Sequence, residues 1–342
     1  MADRLTVGII GAGRIGKMHA ANLVYLVPEA KVTAIADVRQ EAAEACAAEL
    51  DIPNAYGDPR WIVDDPNIEA VVICSSTDTH APLIEQAAEA GKYIFCEKPI
   101  ALELDVIDQT LATVSRTGAF LQIGFNRRFD PSFRRVRELV AEGKLGVPHT
   151  LRITSRDPKP PSLDYVRTSG GMFLDMSIHD FDMARYLIGD EIESVYTAAA
   201  VRIDPRIKEY GDVDTAVIVL QFKNETLGTI DNSRQAVYGY DQRIEVFGSD
   251  GMALVTNKTP DQVMVHNVAG THSACPLYFF LERYTEAFVA EMKAFIRSVR
   301  AGEPPAVSGE DGRIAAVVAY AAKRSYEESR PVKLSEIDPR MQ

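Results

Sequence analysis

Val7-Gly8-Ile9-Ile10-Gly11-Ala12-Gly13-Arg14-Ile15-Gly16 decides how the rest of the chain is read. An apolar, β-branched run ends in Gly-x-Gly-x-x-Gly, and a helical pattern opens at Arg14. Strand, tight glycine turn and helix in that order let backbone approach a pyrophosphate closely and aim a helix N-terminus at it. The glycines alone are a weak signal, but the next apolar strand, KVTAIADV, ends in Asp37, 21 residues beyond Gly16. A carboxylate at that point accepts hydrogen bonds from the adenosine ribose and repels a 2′-phosphate. The stretch therefore predicts a dinucleotide site that favours NAD over NADP, with Arg39, two residues on, pulling the other way.

Outward from this stretch the same rhythm continues to Phe125. AVVICSS, YIFCEKP and FLQIGF read as further strands, and 14–27, 40–50, 80–90 and 103–116 have helical length and amphipathic pattern. Strands rich in Val and Ile alternating with helices form a parallel sheet covered on both faces. Residues 1–125 are thus expected to be a Rossmann α/β domain. Residues 126–342 read differently: helices near 131–142 and 172–187, a strand near 149–155, and a Pro-rich loop, DPKPPS. Strands separated by turn signals (KNE, YGYD, GSDG) then fill 194–266, and helices near 278–299 and 313–327 follow. Short turns imply antiparallel pairing, so the second domain is expected to be α+β with a large, mostly antiparallel open sheet. Its C-terminal helices are expected to pack back on the first domain.

Among 342 residues, 37 Lys and Arg stand against 49 Asp and Glu, a net charge of −12. That balance, without a local basic patch, argues against nucleic acid or anionic membrane as partner. The longest apolar run, 314–322, is nine residues, about half of what a membrane-spanning helix needs. The start, Met1 through Asp3 and Arg4 straight into a strand pattern, lacks the features of a secretory leader, so a cytoplasmic location is expected. Four scattered cysteines with no CxxC pair suggest neither a disulfide framework nor a zinc ribbon.

Three motifs carry chemistry. Glu97-Lys98-Pro99 ends the strand YIFC, and a residue before proline is held extended, which sends Lys98 beyond the carboxyl end of a parallel strand, where ligands bind. Elsewhere the tripeptide would read as a solvated turn; in a dinucleotide domain it offers a cation for a substrate oxygen. In GGMFLDMSIHDFDM, Asp175 and His179 are four apart on a predicted helix, with Asp182 extending the stripe. Such a pair is either a general base with its supporting carboxylate or a satisfied structural contact. With six histidines in the chain and none close in sequence to His179, no metal is expected. In GFNRRFDPSFRR, Arg127 and Arg128 lie on a charged stretch, a solvated face by default, near the expected domain join. Tyr238, Tyr240 and Asp241 read first as a turn and only by location as a substrate wall.

Together GIIGAGRIGKMHA, AIADV, CEKP, GFNRRFDPSF, DMSIHDFDMARYL and YGYD resemble the glucose-fructose oxidoreductase, inositol dehydrogenase and rhizopine-catabolism (Gfo/Idh/MocA) family over nearly the whole chain, and within it the inositol 2-dehydrogenase branch. The resemblance implies a catalytic lysine at Lys98, a supporting aspartate at Asp175 and a proton-accepting histidine at His179. It puts substrate contacts on these three and on Arg128, Asp157 and Tyr240. The expected cofactor contacts are Gly11, Gly13, Arg14, Ile15, Gly16, Asp37, Ser75, Thr77, His80, Glu97 and Lys98. It further implies a homotetramer built through sheet faces. The expected activity is NAD-dependent oxidation of a secondary hydroxyl of a cyclic polyol or sugar, foremost myo-inositol to its 2-keto form. Other inositol isomers or sugars, NAD-assisted glycoside cleavage, and a sugar- or NAD-sensing protein of the same fold are the alternatives.

Overall fold

A computed structural model of the chain describes residues 4–342; Met1 and Asp3, on which the reading of the N-terminus rests, lie outside the described residues. The chain forms two compact units. One takes it up to Phe129 and adds Glu286–Ile314, and the other holds Asp130–Thr285 and Ala315–Gln342. In this division the chain passes between the units at 129/130, and Glu286–Ile314 of the C-terminal region belongs with the first unit.

In the first unit β1 (Leu5–Ile10), α1 (Arg14–Leu26), β2 (Ala30–Ala36), α2 (Gln40–Leu50), β3 (Asn54–Tyr56), α3 (Arg60–Val63), β4 (Ala70–Ile73), α4 (Thr77–Glu89), β5 (Tyr93–Glu97), α5 (Leu104–Thr117) and β6 (Leu121–Gly124) follow one another. The six strands lie parallel in the order β3-β2-β1-β4-β5-β6. The order reverses between β1 and β4, the point at whose carboxyl ends doubly wound sheets hold ligands. Every residue of β4 is buried, as a strand covered on both faces requires. Val7, Ile9, Leu23, Ile35 and Phe95 share one core with Met292, Phe295, Ile296 and Val299 of the returning segment. β3 and α3 are additions to the expected elements, each too short to show a period in the sequence.

The second unit contains α6 (Pro131–Ala141), β7 (Pro148–Arg156), α7 (Leu163–Thr168), α8 (Ile178–Ile188), β8 (Ile192–Ala200), β9 (Thr215–Phe222), β10 (Leu227–Ser233), β11 (Asp241–Gly248), β12 (Gly251–Val255) and a separate hairpin, β13 (Met264–Asn267) and β14 (Gly270–Ser273). The chain continues through α9 (Phe280–Arg283), α10 (Thr285–Ala301), α11 (Gly309–Glu328) and β15 (Val332–Lys333). The large sheet runs β12-β11-β7-β10-β9-β8-β15. β9–β10 and β11–β12 are the antiparallel hairpins their turns announced. β7, made earlier in the chain, lies between the two hairpins and pairs parallel with β10. Strict alternation in β9 buries Ala216, Ile218, Leu220 and Phe222 on one face and leaves Val217 and Val219 exposed on the other.

Two helix readings need correction. The expected helix over 172–187 is a π turn, Phe173–Ser177, followed by α8. The expected helix over 278–299 is broken at Tyr284 into α9 and α10. There the Tyr284 ring is buried edge-on to Phe133 and Tyr240, and its hydroxyl donates to Gln242 at 3.2 Å. Arg283 beside it pairs with Asp130 at 2.6 Å. These buried polar anchors dictate the local path where the apolar period alone allowed one helix. Among the described residues no helix is long and apolar enough to cross a membrane.

Candidate active site

In the first unit the glycine turn is built for close approach. Gly11 has φ +102°, and a Cβ there would lie 2.6 Å from the Cys74 carbonyl oxygen; one on Gly16 would lie 1.8 Å from the oxygen of Gly11. These two glycines hold α1 tight against the turn. Gly13 is the N-cap of α1, and a Cβ added to it would meet nothing within 4 Å, so the space over the helix start is open. α1 carries neither a side-chain cap nor an acidic residue in its first turn, which leaves its field to an anion. Asp37 accepts from the Ala12 N–H at 2.7 Å and from the Arg39 N–H at 2.9 Å. One carboxylate therefore braces the glycine turn at the position where a ribose is expected. Arg39 sits 3.9 Å from it with a largely exposed side chain. An open helix start and a strand-end carboxylate fit a dinucleotide.

The loops after β4 and β5 carry the other expected cofactor contacts. Ser75 and Thr79 share a hydroxyl hydrogen bond of 2.6 Å, Ser76 is the N-cap of α4, and Thr77 opens it, half-buried. His80 is buried with Nδ1 2.7 Å from the Pro99 carbonyl and Nε2 3.1 Å from that of Ser75. Burial lowers its pKa, so the ring is neutral near pH 7 with one N–H to donate. That N–H can serve only one of the two carbonyls, and when it is on Nδ1 it ties α4 to the loop that carries Lys98. Lys98 is half-buried, and its bond to Pro99 is cis. The Glu97 carboxylate lies on His19 Nε2 at 2.8 Å. Arg127 is buried, and Arg128 donates to Asp311 at 2.9 Å.

In the second unit the π turn and the start of α8 carry Asp175 and His179, both half-buried, while Asp182 is fully buried and does not extend their accessible stripe. Gly170 and Gly171 both have positive φ, +82° and +78°, which lets the chain turn sharply into the helix. The Met172 N–H then donates to Asp212 at 2.8 Å, and a side chain on Gly171 would meet that same carboxylate. Ser177 donates to Asn232 at 2.6 Å, and Asn232 donates to Asp180 at 2.8 Å, so the helix start is pinned to β10. Asp175 accepts from the Tyr165 hydroxyl at 2.7 Å and from Arg234 Nη1 at 3.0 Å. The same Arg234 nitrogen lies 3.5 Å from Asp157. Burial opposes the Arg234 charge, and Asp175 and Asp157 more than offset it, raising its pKa. Desolvation of the hydroxyl, on a residue that is otherwise 48% exposed, and the Asp175 charge push the Tyr165 phenol up, so it stays a donor. Tyr240 is buried edge-on to Tyr284, and Tyr238 donates to Asp241 at 2.6 Å.

Residues 5–125 match the oxidoreductase family with an NAD-binding Rossmann fold, and residues 133–254 match the GFO/IDH/MocA C-terminal domain. The chain belongs to the Gfo/Idh/MocA oxidoreductase family. Among curated Gfo/Idh/MocA relatives, a myo-inositol 2-dehydrogenase of Thermotoga maritima is 51% identical over 97% of this chain and 99% of its own. An inositol 2-dehydrogenase of Rhizobium meliloti is 46% identical over 96% and 98%. The solved scyllo-inositol dehydrogenase of Lactobacillus casei, with bound NAD(H) and scyllo-inositol, superposes with TM-score 0.91 at 32% identity, covering 97% of this chain and 100% of that one. As a Gfo/Idh/MocA oxidoreductase the chain takes NAD as its cofactor.

Lys98, Asp175 and His179 are the catalytic set expected from the sequence, whereas Tyr165, Asp212 and Arg234, which the structure brings to Asp175, are not among the expected residues. Tyr165 follows a Pro-rich loop, and Arg234 is a single basic residue at a strand end. Neither carries a motif, since only the tertiary turn between α7, the π helix and β10 brings them to Asp175.

Proposed function

We propose that the chain is an NAD-dependent dehydrogenase of a cyclic polyol, acting on the secondary hydroxyl of myo-inositol to give the 2-keto compound. The observation that carries this reading is the Asp175 carboxylate held by Tyr165 and Arg234, four residues before a half-buried His179. Its support from outside the chain is the pair of inositol 2-dehydrogenases at 46 to 51% identity over nearly full length. When bound, NAD supplies the acceptor for the hydride leaving carbon. His179 takes the hydroxyl proton on a ring nitrogen, Asp175 favours the resulting imidazolium, and the Lys98 ammonium holds charge that builds on the substrate oxygen. Arg128, Asp157 and Tyr240 contact the polyol, and the cofactor rests on the residues of the glycine turn, Asp37 and the loops after β4 and β5. Loss of one hydride and one proton leaves a ketone, a two-electron oxidation of the carbon.

Purified protein mixed with myo-inositol and NAD should form reduced nicotinamide, and with NADP far less, as Asp37 requires. Absence of turnover with myo-inositol, alongside turnover of scyllo-inositol, would move the reading to the second substrate, which the Lactobacillus casei structure favours. Absence of turnover with every inositol would sink it.

We further infer a homotetramer in the cytoplasm. On one face of the seven-stranded sheet Tyr196 and Val219 stand exposed toward one end of a row and Leu254 at the other, with Thr229, Arg152 and Glu245 between them, and Leu227, Phe247 and Met252 are exposed in the next row. Exposed apolar side chains around a central Arg152–Glu245 pair suit cover by another subunit with a mixed, interface-like surface. All four cysteines are free, as a reducing compartment would keep them.

A further inference from the structure

Beneath the strand end that carries Lys98, His19 of α1, Glu97 of β5 and Glu291 of α10 bring one nitrogen or oxygen each within 4.8 Å of one another. His19 and Glu291 are completely buried. The walls are apolar: the His19 ring lies edge-on to Phe95 and Phe288, with centroids 5.3 and 5.6 Å away. Cys74, Cys96 and His80 also lie within electrostatic reach of Glu97; burial raises both thiols well above the ordinary range and lowers His80, so all three are neutral near pH 7. Glu97 shares a hydrogen bond with His19 at 2.8 Å, yet neither carboxylate oxygen of Glu291 has a hydrogen-bond partner. An ionised, unpartnered carboxylate in such a place is among the costliest arrangements a protein can hold, and the group takes a proton instead. Burial, and then the Glu97 charge, act in that direction on Glu291. With a proton, Glu291 changes from two orphaned acceptors into a donor beside the Glu97 carboxylate of the same cluster.

We propose that Glu291 is a neutral carboxylic acid that donates a hydrogen bond to Glu97, and that this bond together with His19 fixes the strand end from which Lys98 projects. Glu291 is then a positioning residue acting through Glu97. Room for the arrangement comes from Gly124 on the neighbouring strand, where a Cβ would stand 2.9 Å from Glu97 Oε2. The effect on turnover rests on the proposed role of Lys98, whereas the protonation state does not.

Two measurements separate those dependencies. Infrared difference spectra of intact wild-type protein and Glu291→Gln at about pH 8 should show a protonated-carboxyl carbonyl band in the wild type that the variant lacks. No such band, or a stoichiometric divalent metal in purified protein by elemental analysis, overturns the proposal whatever the activity. For turnover, Glu291→Leu fills the space without a donor and should lower kcat roughly 10- to 100-fold while the Kd for NAD stays close to wild type. Glu291→Gln keeps an N–H donor for Glu97 and should restore most of that loss. Equal damage from Gln and Leu, or wild-type kcat in a folded Leu variant, overturns the positioning role. If the wild type itself turns over no inositol, the functional reading fails while the infrared band still decides the proton.

Discussion

His179, Arg234 and His80 make different demands on their surroundings, and each yields its own expectation. Changing His179 to Ala should lower kcat on myo-inositol by about 100-fold or more, the size of a general-base contribution, with NAD binding by fluorescence titration unaltered. Arg234 serves two carboxylates from a buried position, so Arg234→Met removes a cation that both Asp175 and Asp157 share. Breaking a buried pair in this way costs about 3–5 kcal/mol, which chemical denaturation should register together with lost turnover. His80 has its pKa lowered by burial from 6.5. Below that value the unfolded chain binds a proton that the folded one resists. Stability therefore falls as pH drops through the window under 6.5, by at most about 1.4 kcal/mol per pH unit from this group. Urea melts of wild type and His80→Gln between about pH 5 and 7.5 should diverge in slope accordingly. At this scale the strand-end EKP and the i, i+4 spacing are what single out Lys98, Asp175 and His179 as the proposed catalytic set. The sequence kept Tyr165, Asp212 and Arg234 hidden because their relation to Asp175 exists only after folding.

Elements translate local rules into the shape of the site. Gly13 and Gly16 belong to one motif but answer to different constraints. Gly16→Ala would drive a methyl into the Gly11 carbonyl, and the first unit should lose stability measurably in a thermal melt. Gly13→Ala meets nothing, so its Tm should stay within about 2 °C while NAD affinity by calorimetry falls about 10-fold or more, because the methyl occupies the approach to the helix start. α10 contributes in a way no motif announces: it brings Glu291 to Glu97. Since the Glu291 pKa is raised from 4.5, its stabilising share is complete below that value and is lost as pH rises. Glu291→Gln should therefore gain on wild type in denaturant melts as pH goes from about 5 to 8. Strand and helix order in the first unit was legible because each element repeats one period, β-branched and buried on both faces. The π turn at 173–177, the break at Tyr284 and the three-residue β3 were not, because buried hydrogen bonds or shortness, rather than periodicity, set them.

For the whole molecule, the exposed apolar side chains at the two ends of a row across the large sheet set the expectation. Val219→Asp together with Leu254→Asp on that face should shift the protein from tetramer toward smaller species in light scattering, with far-UV circular dichroism unchanged; a wild type that is already monomeric would refute the assembly. The sheet class was readable from turn signals, but the parallel β7–β10 pair was not, since no local turn joins those strands. One further property follows from how the chain is shared out. Met292, Phe295, Ile296 and Val299 complete the core of a unit whose other members are all encoded before Phe129. A gene fragment stopping near codon 125 would thus yield a polypeptide with an unsealed interior rather than a separable nucleotide-binding module. On the ribosome, the nascent first unit must wait through the synthesis of nearly all the second before it can close.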